Sequence, residues 1–348
     1  MAQSVVHVKP GTDSALRLVT HDIPSMDQTP DRVLVKFLAV PVNRVDLLVM
    51  DGQYPVKPQF SVEGQPIPGF DGCGVVIEST SSGFATGDLV IILDFGLGTW
   101  RTHAILPANA LLKVLRDTPP VVASLIRSGT LIAWLLCEEV ASLSEGDWVL
   151  MSAGTSCVAQ FFVQFARQRG LQTAMVVRDR DNIAETTTQL TRLGASVVIS
   201  ESQLAREKAA AIPGKPVLAL DSVFGAVGQA MLDSLALGGK YVMVGMLSGS
   251  SGALTVTTDL FYKKLTLMAF RGSDVLKRIG AAKTQAIVDM LARQLIDGGL
   301  KCPHIKTLQW AQVENNDVAT LEQALNESVR DAGSLEVGYQ KTIWVVSS

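Results

Sequence analysis

The sequence predicts an α/β protein in which a doubly wound parallel sheet is inserted into a β-rich domain. Three observations predict this fold. Short strands and turns dominate residues 1–118, apolar strands alternate with helices over residues 119–304, and strands without helices return in residues 305–348. With 348 residues, of which 47% are hydrophobic, the chain is long enough for two domains with well-buried cores.

The β-rich domain is predicted from short apolar runs that proline and glycine interrupt. The candidate strands cover residues 32–38, 74–78, 89–93, 100–106, 305–310 and 342–346. The Asp-Thr-Pro-Pro segment at residues 117–120 marks the end of the first part of this domain. We therefore expect a domain formed by residues 1–118 together with residues 305–348.

The inserted domain begins with a long helical stretch at residues 121–140 and continues as alternating strands and helices. Six apolar runs are candidate strands of one sheet: 148–152, 174–177, 197–200, 217–221, 241–245 and 265–270. Helices are predicted at residues 157–169, 229–237 and 281–297. Six strands with intervening helices favour a doubly wound parallel sheet.

Residues 149–181 contain the most informative pattern, which is a strand, a turn of small residues, a helix, a second strand and a charged cluster. This arrangement is typical of dinucleotide binding, because the helix N-terminus binds phosphate. Arginines after the second strand suit a 2′-phosphate and favour NADPH. An ordinary βα turn and solvated arginines remain the alternative, since the turn has only one glycine. The candidate cofactor residues are Gly154, Thr155, Ser156, Cys157, Val158, Arg178 and Arg180 here, and Gly245, Met246 and Phe270 at later strand ends.

Composition restricts the partners and the compartment. The net charge of −3 gives no electrostatic reason to expect nucleic acid or an anionic membrane as a partner. No apolar run reaches the roughly 18–20 residues that span a bilayer, and four scattered cysteines have no zinc-site spacing. We expect no metal and a cytoplasmic protein, with the mitochondrion as the alternative if a transit peptide was removed.

Local motifs resemble those of the zinc-independent 2-enoyl thioester (enoyl-CoA or enoyl-ACP) reductases of the medium-chain dehydrogenase/reductase superfamily. The matching segments are residues 41–46 (PVNRVD), 52–58 (GQYPVKP), 95–103 (FGLGTWRTH), 146–149 (GDWV), 176–181 (VVRDRD) and 193–195 (LGA). The resemblance implies a Rossmann-type sheet inserted into a GroES-like catalytic domain. It also implies NADPH-dependent reduction of the α,β double bond of an acyl thioester, with CoA favoured over ACP as the carrier.

The chain departs from the family pattern at three places, of which the first is the turn at residues 154–159 (GTSCVA), where the family has an Asn-Ser-Ala-Val-Gly-like sequence. The family carries a glutamate and an asparagine where this chain has Phe70 and Asp71, and a Thr-Ala-Tyr sequence at residues 132–134, where it has Ile-Ala-Trp. The zinc enzymes of the superfamily have Gly-His-Glu at residues 69–71, where this chain has Gly-Phe-Asp.

By the resemblance, Tyr54 is the main catalytic candidate. Charge develops on the thioester oxygen during reduction, and a phenol with an ordinary pKa of about 10 stays protonated and can donate to it. Asn43 is the second catalytic candidate, Tyr54 and Trp100 are candidates for contact with the substrate, and Lys341 is a candidate cofactor ligand. The alternatives are packing for Tyr54 and Trp100, a cap or turn role for Asn43, and a surface position for Lys341.

The sequence therefore predicts an NADPH-dependent enoyl thioester reductase with its substrate in a cleft between the two domains. A quinone or enone oxidoreductase of the same superfamily is the second hypothesis. A non-catalytic dinucleotide-binding sensor is the third. A homodimer is expected, because the superfamily often joins its nucleotide-domain sheets edge to edge.

Overall fold

The chain divides into two compact units in the computed structural model. Unit 1 comprises Met1–Ser128 and Ala281–Ser348, and unit 2 comprises Gly129–Gly280. The structure describes residues 1–8, 16–245, 247, 253–255, 258–311, 318–333 and 340–346.

Strands and helices follow one another in this order along the chain. The strands are β1 (Ala2–His7), β2 (Leu16–His21), β3 (Arg32–Pro41), β4 (Ser61–Val62), β5 (Gln65–Pro66), β6 (Cys73–Ser79), β7 (Leu89–Ile92), β8 (His103–Pro107), β9 (Leu111–Lys113), β10 (Trp148–Met151), β11 (Gln172–Val177), β12 (Val197–Ser200), β13 (Pro216–Asp221), β14 (Lys240–Met243), β15 (Thr266–Ala269), β16 (His304–Trp310) and β17 (Gln340–Val346). The α-helices are α1 (Arg44–Met50), α2 (Pro120–Ala123), α3 (Ile132–Glu138), α4 (Cys157–Gln168), α5 (Ile183–Leu193), α6 (Glu201–Glu207), α7 (Gly225–Ser234), α8 (Thr258–Tyr262), α9 (Gly272–Ile279), α10 (Ala281–Ile296) and α11 (Val318–Gly333).

Unit 2 is built on a six-stranded sheet with the order β12-β11-β10-β13-β14-β15, in which every neighbouring pair is parallel. In chain order this is 3-2-1-4-5-6, the strand order of a doubly wound dinucleotide-binding sheet. The inner strands β11, β10 and β13 are mostly buried apolar runs, as expected where helices cover both faces of a parallel sheet, whereas the residues of the edge strand β15 are exposed. The predicted fold class is confirmed.

Unit 1 is built on a seven-stranded sheet with the order β16-β17-β3-β6-β7-β9, and β8 also pairs with β3. The pairs are antiparallel, except that β16 and β17 run parallel. Three buried indole rings lie in its core: Trp344 lies 4.5 Å from Trp100 and 5.8 Å from Trp310 between ring centroids. The strands after residue 304 therefore complete the sheet that the N-terminal strands begin.

The division into units differs from the predicted boundaries at 118/119 and 304/305. Residues 119–128 and 281–304 belong to unit 1. The reason for the first difference is that α2 packs against β3 and β6. For the second, Gln285 of α10 donates a hydrogen bond to the carbonyl of Lys113, at 2.9 Å.

The predicted helix over residues 121–140 is interrupted. A π-helical segment, Ile126–Leu131, separates α2 from α3. By length and composition the whole stretch Pro120–Glu138 is apolar enough to cross a membrane, but 67% of its most apolar window is buried within the protein. Burial of this kind is typical of a core helix, and π-bulges often occur at functional sites.

Candidate active site and dinucleotide site

Tyr54 lies in unit 1 on a loop after α1, where it is half-buried. Its ring meets the ring of Phe70 edge to face, with a centroid distance of 6.2 Å. Phe70 in turn packs on Phe95 at 4.9 Å. Phe70, which departs from the family pattern, therefore supports Tyr54 from the side, as edge-to-face aromatic pairs do.

Arg127 supplies a buried positive charge at this aromatic cluster. Its guanidinium carbon lies 3.7 Å from the centroid of the Phe95 ring, and its Nε donates to the carbonyl of Leu93 at 2.9 Å. Burial lowers the pKa of Arg127, while Asp71, Asp94 and Tyr54 act in the opposite direction. Sequence reasoning missed Arg127; the available signal was an arginine inside an apolar helical stretch.

Asn43, Asp71 and Lys341 form a hydrogen-bond network beside α1. The amide Nδ2 of Asn43 donates to Asp71 Oδ2 at 2.8 Å, and its Oδ1 accepts from Lys341 Nζ at 2.5 Å. Lys341 Nζ also donates to the carbonyl of Val42 at 2.7 Å. Asn43 and Lys341, both predicted site residues, are thus brought together. The catalytic role of Asn43 and the cofactor contact of Lys341 stay predictions.

A second buried carboxyl group, that of Asp46, lies next to this network. Its Oδ2 accepts from the backbone N–H of Asn43, the N-cap of α1, at 2.7 Å. Burial raises the pKa of Asp46 to about 8, the nearby Asp71 carboxylate acts in the same direction, and Lys341 acts against it. Burial also raises the pKa of Asp71, opposed mainly by the charge of Arg127. Two carboxyl groups in a small buried volume favour the protonated form of at least one of them.

Trp100 is a core residue, which corrects the prediction that it contacts substrate. None of its side chain is exposed, and its Nε1 donates to the carbonyl of Pro41 at 3.3 Å. The indole of Trp100 packs against that of Trp344, so it cannot reach a ligand unless part of the core unfolds.

The predicted dinucleotide turn in unit 2 joins β10 to α4. The backbone N–H of Gly154 donates to the carbonyl of Val176 in β11 at 2.8 Å. A Cβ at Gly154 would lie 3.0 Å from that carbonyl oxygen, so a larger residue would push the turn away from the sheet. Ser156 is the N-cap of α4, and its Oγ accepts from Ala159 N at 3.2 Å, so the positive end of the α4 dipole lies at this glycine turn. This geometry fits a dinucleotide pyrophosphate.

Thr155, Cys157 and Val158 complete the predicted turn. The carbonyl of Thr155 accepts from Gln160 Nε2 at 2.8 Å. Cys157 Sγ packs against the backbone of Gly129, where a Cβ would lie only 2.9 Å away. Val158 is half-buried in the first turn of α4. The Cys157 side chain thus packs where Gly129 has no side chain, and this contact brings the first turn of α4 close to residue 129.

Arg178 and Arg180 follow β11 and are half-buried. The intervening Asp179 is used locally, because its carboxylate accepts from the N–H and the hydroxyl of Ser202, at 3.1 and 2.5 Å. Both arginines act on Glu201, lowering a pKa that burial raises. The two arginines at the end of β11 thus fit the 2′-phosphate of NADPH. The 2′-hydroxyl of NADH would instead be bound by an acidic residue, and Asp179 is already bonded to Ser202.

The remaining predicted cofactor residues lie at the ends of β14 and β15. The N–H of Gly245 donates to the carbonyl of Asp221 at 3.2 Å. Phe270 is buried, and its N–H donates to the carbonyl of Met243 at 2.8 Å. Met246 lies outside the described residues. Where the family has a threonine, the Ile132 side chain packs against Gly272, shortly after Phe270.

Comparison with known proteins identifies the family. Residues 29–117 match the model of the alcohol dehydrogenase GroES-like domain. The chain is 32% identical to a mitochondrial enoyl-[acyl-carrier-protein] reductase of Arabidopsis thaliana over 306 residues, which cover 86% of this chain and 80% of that protein. Within the described part of unit 1 and unit 2, no three His, Cys, Asp or Glu side chains are grouped so as to hold a metal ion.

Solved structures are similar over nearly the whole chain. The mitochondrial 2-enoyl thioester reductase Etr1p/Etr2p heterodimer from Candida tropicalis has a TM-score of 0.82 and 24% identity, over 99% of each chain. A complex of Etr1p with NADP and crotonyl-CoA has a TM-score of 0.80 and 25% identity, again over 99% of each chain. The chain therefore belongs to the zinc-independent enoyl thioester reductases of the medium-chain dehydrogenase/reductase superfamily.

Proposed function

We propose that this protein uses NADPH to reduce the α,β double bond of a 2-enoyl thioester to the saturated acyl thioester. The observation that carries the proposal is the 32% identity to the Arabidopsis enoyl reductase over 80% of its length. The complex of Etr1p with NADP and crotonyl-CoA supports the same cofactor and substrate class.

In this reaction Cβ of the substrate gains a hydride and Cα gains a proton, while negative charge develops on the thioester oxygen. NADPH supplies the hydride when it is bound. Tyr54 is the proton donor or the hydrogen-bond donor to the thioester oxygen, because its hydroxyl is the donor on the half-buried loop that resembles the family's catalytic segment. Phe70 and Arg127 are positioning residues: Phe70 contacts the Tyr54 ring directly, and Arg127 stacks on Phe95, which packs on Phe70.

The cofactor is held by unit 2 in this proposal. The turn at Gly154 and the N-terminus of α4 bind the pyrophosphate, and Arg178 and Arg180 bind the 2′-phosphate. Gly245 and Phe270 follow β14 and β15, in the half of the sheet that binds the nicotinamide nucleotide. Asn43 and Lys341 act through their network with Asp71 in unit 1.

The relatives also bear on the acyl carrier of the substrate and on the cellular compartment of the protein. CoA remains our choice over ACP as the carrier, while the Arabidopsis relative is named for ACP. That relative is also named as mitochondrial, which favours the mitochondrial alternative over the cytoplasmic expectation.

The choice between the two acyl carriers is tested by parallel assays with crotonyl-CoA and crotonyl-ACP, in which the carrier with the higher kcat/KM is the preferred one.

We also propose a homodimer that joins two copies along β15. This strand is at the edge of the six-stranded sheet, and Leu267, Met268 and the neighbouring Phe261 are exposed. Exposed apolar edge strands favour pairing with another chain. The solved heterodimer leaves open whether the partner is a second copy. Light scattering should give the mass of a dimer for the native chain and of a monomer for Met268→Asp, with Ile23→Asp in unit 1 as control.

The deciding experiment measures NADPH oxidation with crotonyl-CoA and with a benzoquinone. We expect turnover of the thioester well above that of the quinone. Tyr54→Phe should lower kcat about 10²- to 10⁴-fold with little change in NADPH affinity, as expected for loss of an acid group. Tyr262→Phe, at an exposed tyrosine, is the matched control. Turnover of quinone alone would support the oxidoreductase alternative, and equal kcat in Tyr54→Phe would refute the role of Tyr54.

A further inference from the structure

Phe224 has a backbone conformation that side chains rarely adopt. It precedes α7 with φ +72° and ψ −175°. This region is populated almost only by glycine, and a non-glycine residue there is strained. A glycine at this position would form the same turn without strain. A phenyl side chain at this strained position therefore indicates a functional role for the ring.

The strained backbone is held by the buried carboxylate of Asp221. Asp221 is 0% exposed. Its Oδ1 accepts from Val223 N at 2.8 Å and from Ser152 Oγ at 2.6 Å. Its Oδ2 accepts from Phe224 N at 3.0 Å and from the phenol of Tyr241. A carboxylate with four donors fixes the loop rigidly, because each lost donor would leave a buried charge less compensated.

The fold leaves room for this carboxylate and links it to the dinucleotide turn. A Cβ at Gly228 would lie 2.5 Å from Asp221 Oδ2 and 2.6 Å from the Tyr241 hydroxyl, so only glycine fits there. Ser152 Oγ also accepts from Ser222 N at 2.8 Å. Ser152 directly precedes Ala153, itself a non-glycine residue with φ +50°. The loops after β10 and β13 thus share one set of hydrogen bonds, and each contains a strained residue.

These two loops lie where a doubly wound sheet binds its ligand. From β10 the strand order runs through β11 to β12, and from β13 it runs the other way, through β14 to β15. Ligands bind outside the carboxyl ends of the strands at this switch point. Asp221 is the last residue of β13, and the half-buried Phe224 follows three residues later.

We propose that the phenyl ring of Phe224 is an apolar contact for the nicotinamide nucleotide half of the bound dinucleotide, and that Asp221 is the positioning residue that holds the ring in place. The assignment to this half follows from topology, because β13 begins the second mononucleotide-binding half of the sheet, whereas Arg178 and Arg180 follow β11 in the first. The inference rests on the proposed function, since it takes a nicotinamide dinucleotide as the ligand.

Two variants and two ligands test the proposal. Phe224→Ala removes the ring but keeps a Cβ in the strained conformation, and Phe224→Gly removes both. Dissociation constants are measured by calorimetry for NADPH and for adenosine 2′,5′-bisphosphate, which lacks the nicotinamide nucleotide. Leu237→Ala, at an exposed apolar residue of the same unit, is the control. Thermal unfolding of each variant is recorded alongside.

Both variants should raise the Kd for NADPH about three- to tenfold and leave the Kd for adenosine 2′,5′-bisphosphate unchanged, the loss expected for one aromatic contact. Phe224→Gly should melt about 2–4 °C above Phe224→Ala, the reverse of the usual order of Gly and Ala. Asp221→Asn should raise the Kd for NADPH in the native chain. It should raise this Kd less in a chain that already carries Phe224→Gly, because the ring that Asp221 positions is then absent.

The outcomes separate this proposal from the proposed function. If the native chain binds NADPH and Phe224→Ala binds it equally well, the role of the ring is refuted while the reductase assignment stands. An equal loss of both ligands would also refute it, because the effect would then not concern the nicotinamide half. If the native chain does not bind NADPH at all, the proposed function fails and this inference fails with it.

Discussion

Asp46→Asn is the substitution whose effect on stability follows most directly from the structure. Asp46 is buried at the N-terminus of α1, and its pKa of about 8 compares with an ordinary value of 3.8. An asparagine has the same shape, and its carbonyl oxygen can accept the hydrogen bond that Asn43 N now donates to Asp46 Oδ2. The substitution therefore removes a titrating group with little change in packing.

The sign of the pH dependence follows from linkage. Because the folded-state pKa lies above the unfolded one, the folded protein binds one more proton than the unfolded chain between about pH 4 and pH 8. The contribution of Asp46 to stability is thus fully present below pH 4 and is lost as pH rises through 8. The slope is about 1.4 kcal/mol per pH unit, or about 2.5 kcal/mol from pH 5 to pH 7.

The assay is urea unfolding at pH 5, 6 and 7, followed by tryptophan fluorescence, to which three tryptophans of unit 1 (Trp100, Trp310 and Trp344) and two of unit 2 (Trp134 and Trp148) contribute. We expect the free energy of unfolding of the native chain to fall by about 2.5 kcal/mol more than that of Asp46→Asn over this range. The exposed Asp22→Asn is the control and should parallel the native chain. Parallel curves for the native chain and Asp46→Asn would refute the reasoning.

Two further substitutions test the core and the cofactor site. Gly69→Ala should lower the free energy of unfolding by about 3 kcal/mol or more in urea titrations, because Gly69 has φ +102° and a Cβ would lie 2.5 Å from Trp100 Cδ1. Gly64→Ala, with φ +73° and nothing within 4 Å, should lose only about 1 kcal/mol; equal losses would contradict the packing argument. Arg178→Ala should raise the Kd for NADPH about 10- to 100-fold and leave the Kd for NADH unchanged, as measured by cofactor fluorescence. The exposed Arg192→Ala should change neither constant, and an equal loss of both cofactors in Arg178→Ala would argue against a 2′-phosphate contact.

The parallel sheet of unit 2 was predictable because its strands are continuous apolar runs separated by helices. The strand predicted at residues 197–200 is β12 as observed, and the other five strands of this sheet shift by one or two residues at their ends. Periodicity also contained a signal for α11 that was overlooked: Leu321, Leu325 and Val329 are buried at a spacing of four residues. Helix α1 was not predicted, although the cap role considered for Asn43 is the one that the structure shows, at the N-cap of this helix.

The interrupted helix at residues 121–140 shows where periodicity stops being informative. The weak helix formers Ser128, Gly129 and Thr130 are a local sign of an irregularity, but they do not specify the wider turn at Ile126–Leu131. That turn is set by what packs against it, such as Cys157 on Gly129. Contacts of this kind depend on residues far away in the sequence.

The same reason explains which site residues the sequence could predict. Tyr54 lies in a short motif that can be compared as a string, and so does the turn at Gly154. The bond between Asn43 and Lys341 joins residues 298 positions apart, and the pairing of Arg127 with Phe95 depends on the fold of unit 1. The strain at Phe224 is a property of the backbone conformation, so it could not be predicted from the pattern of residues.

The three tryptophans of unit 1 have a consequence for the synthesis of the chain. Trp100 is made early, whereas Trp310 and Trp344 follow the whole of unit 2, so the ribosome needs on the order of 10 to 50 s to reach the last of them. During this interval β3 lacks its neighbour β17, and the face that Trp344 will cover has no partner. Unit 2 is continuous in sequence and contains all the strands of its sheet before β16 is made. A nascent chain therefore has a complete nucleotide-binding sheet while its catalytic unit still has an open edge, which is the stage at which chaperones have the most to protect.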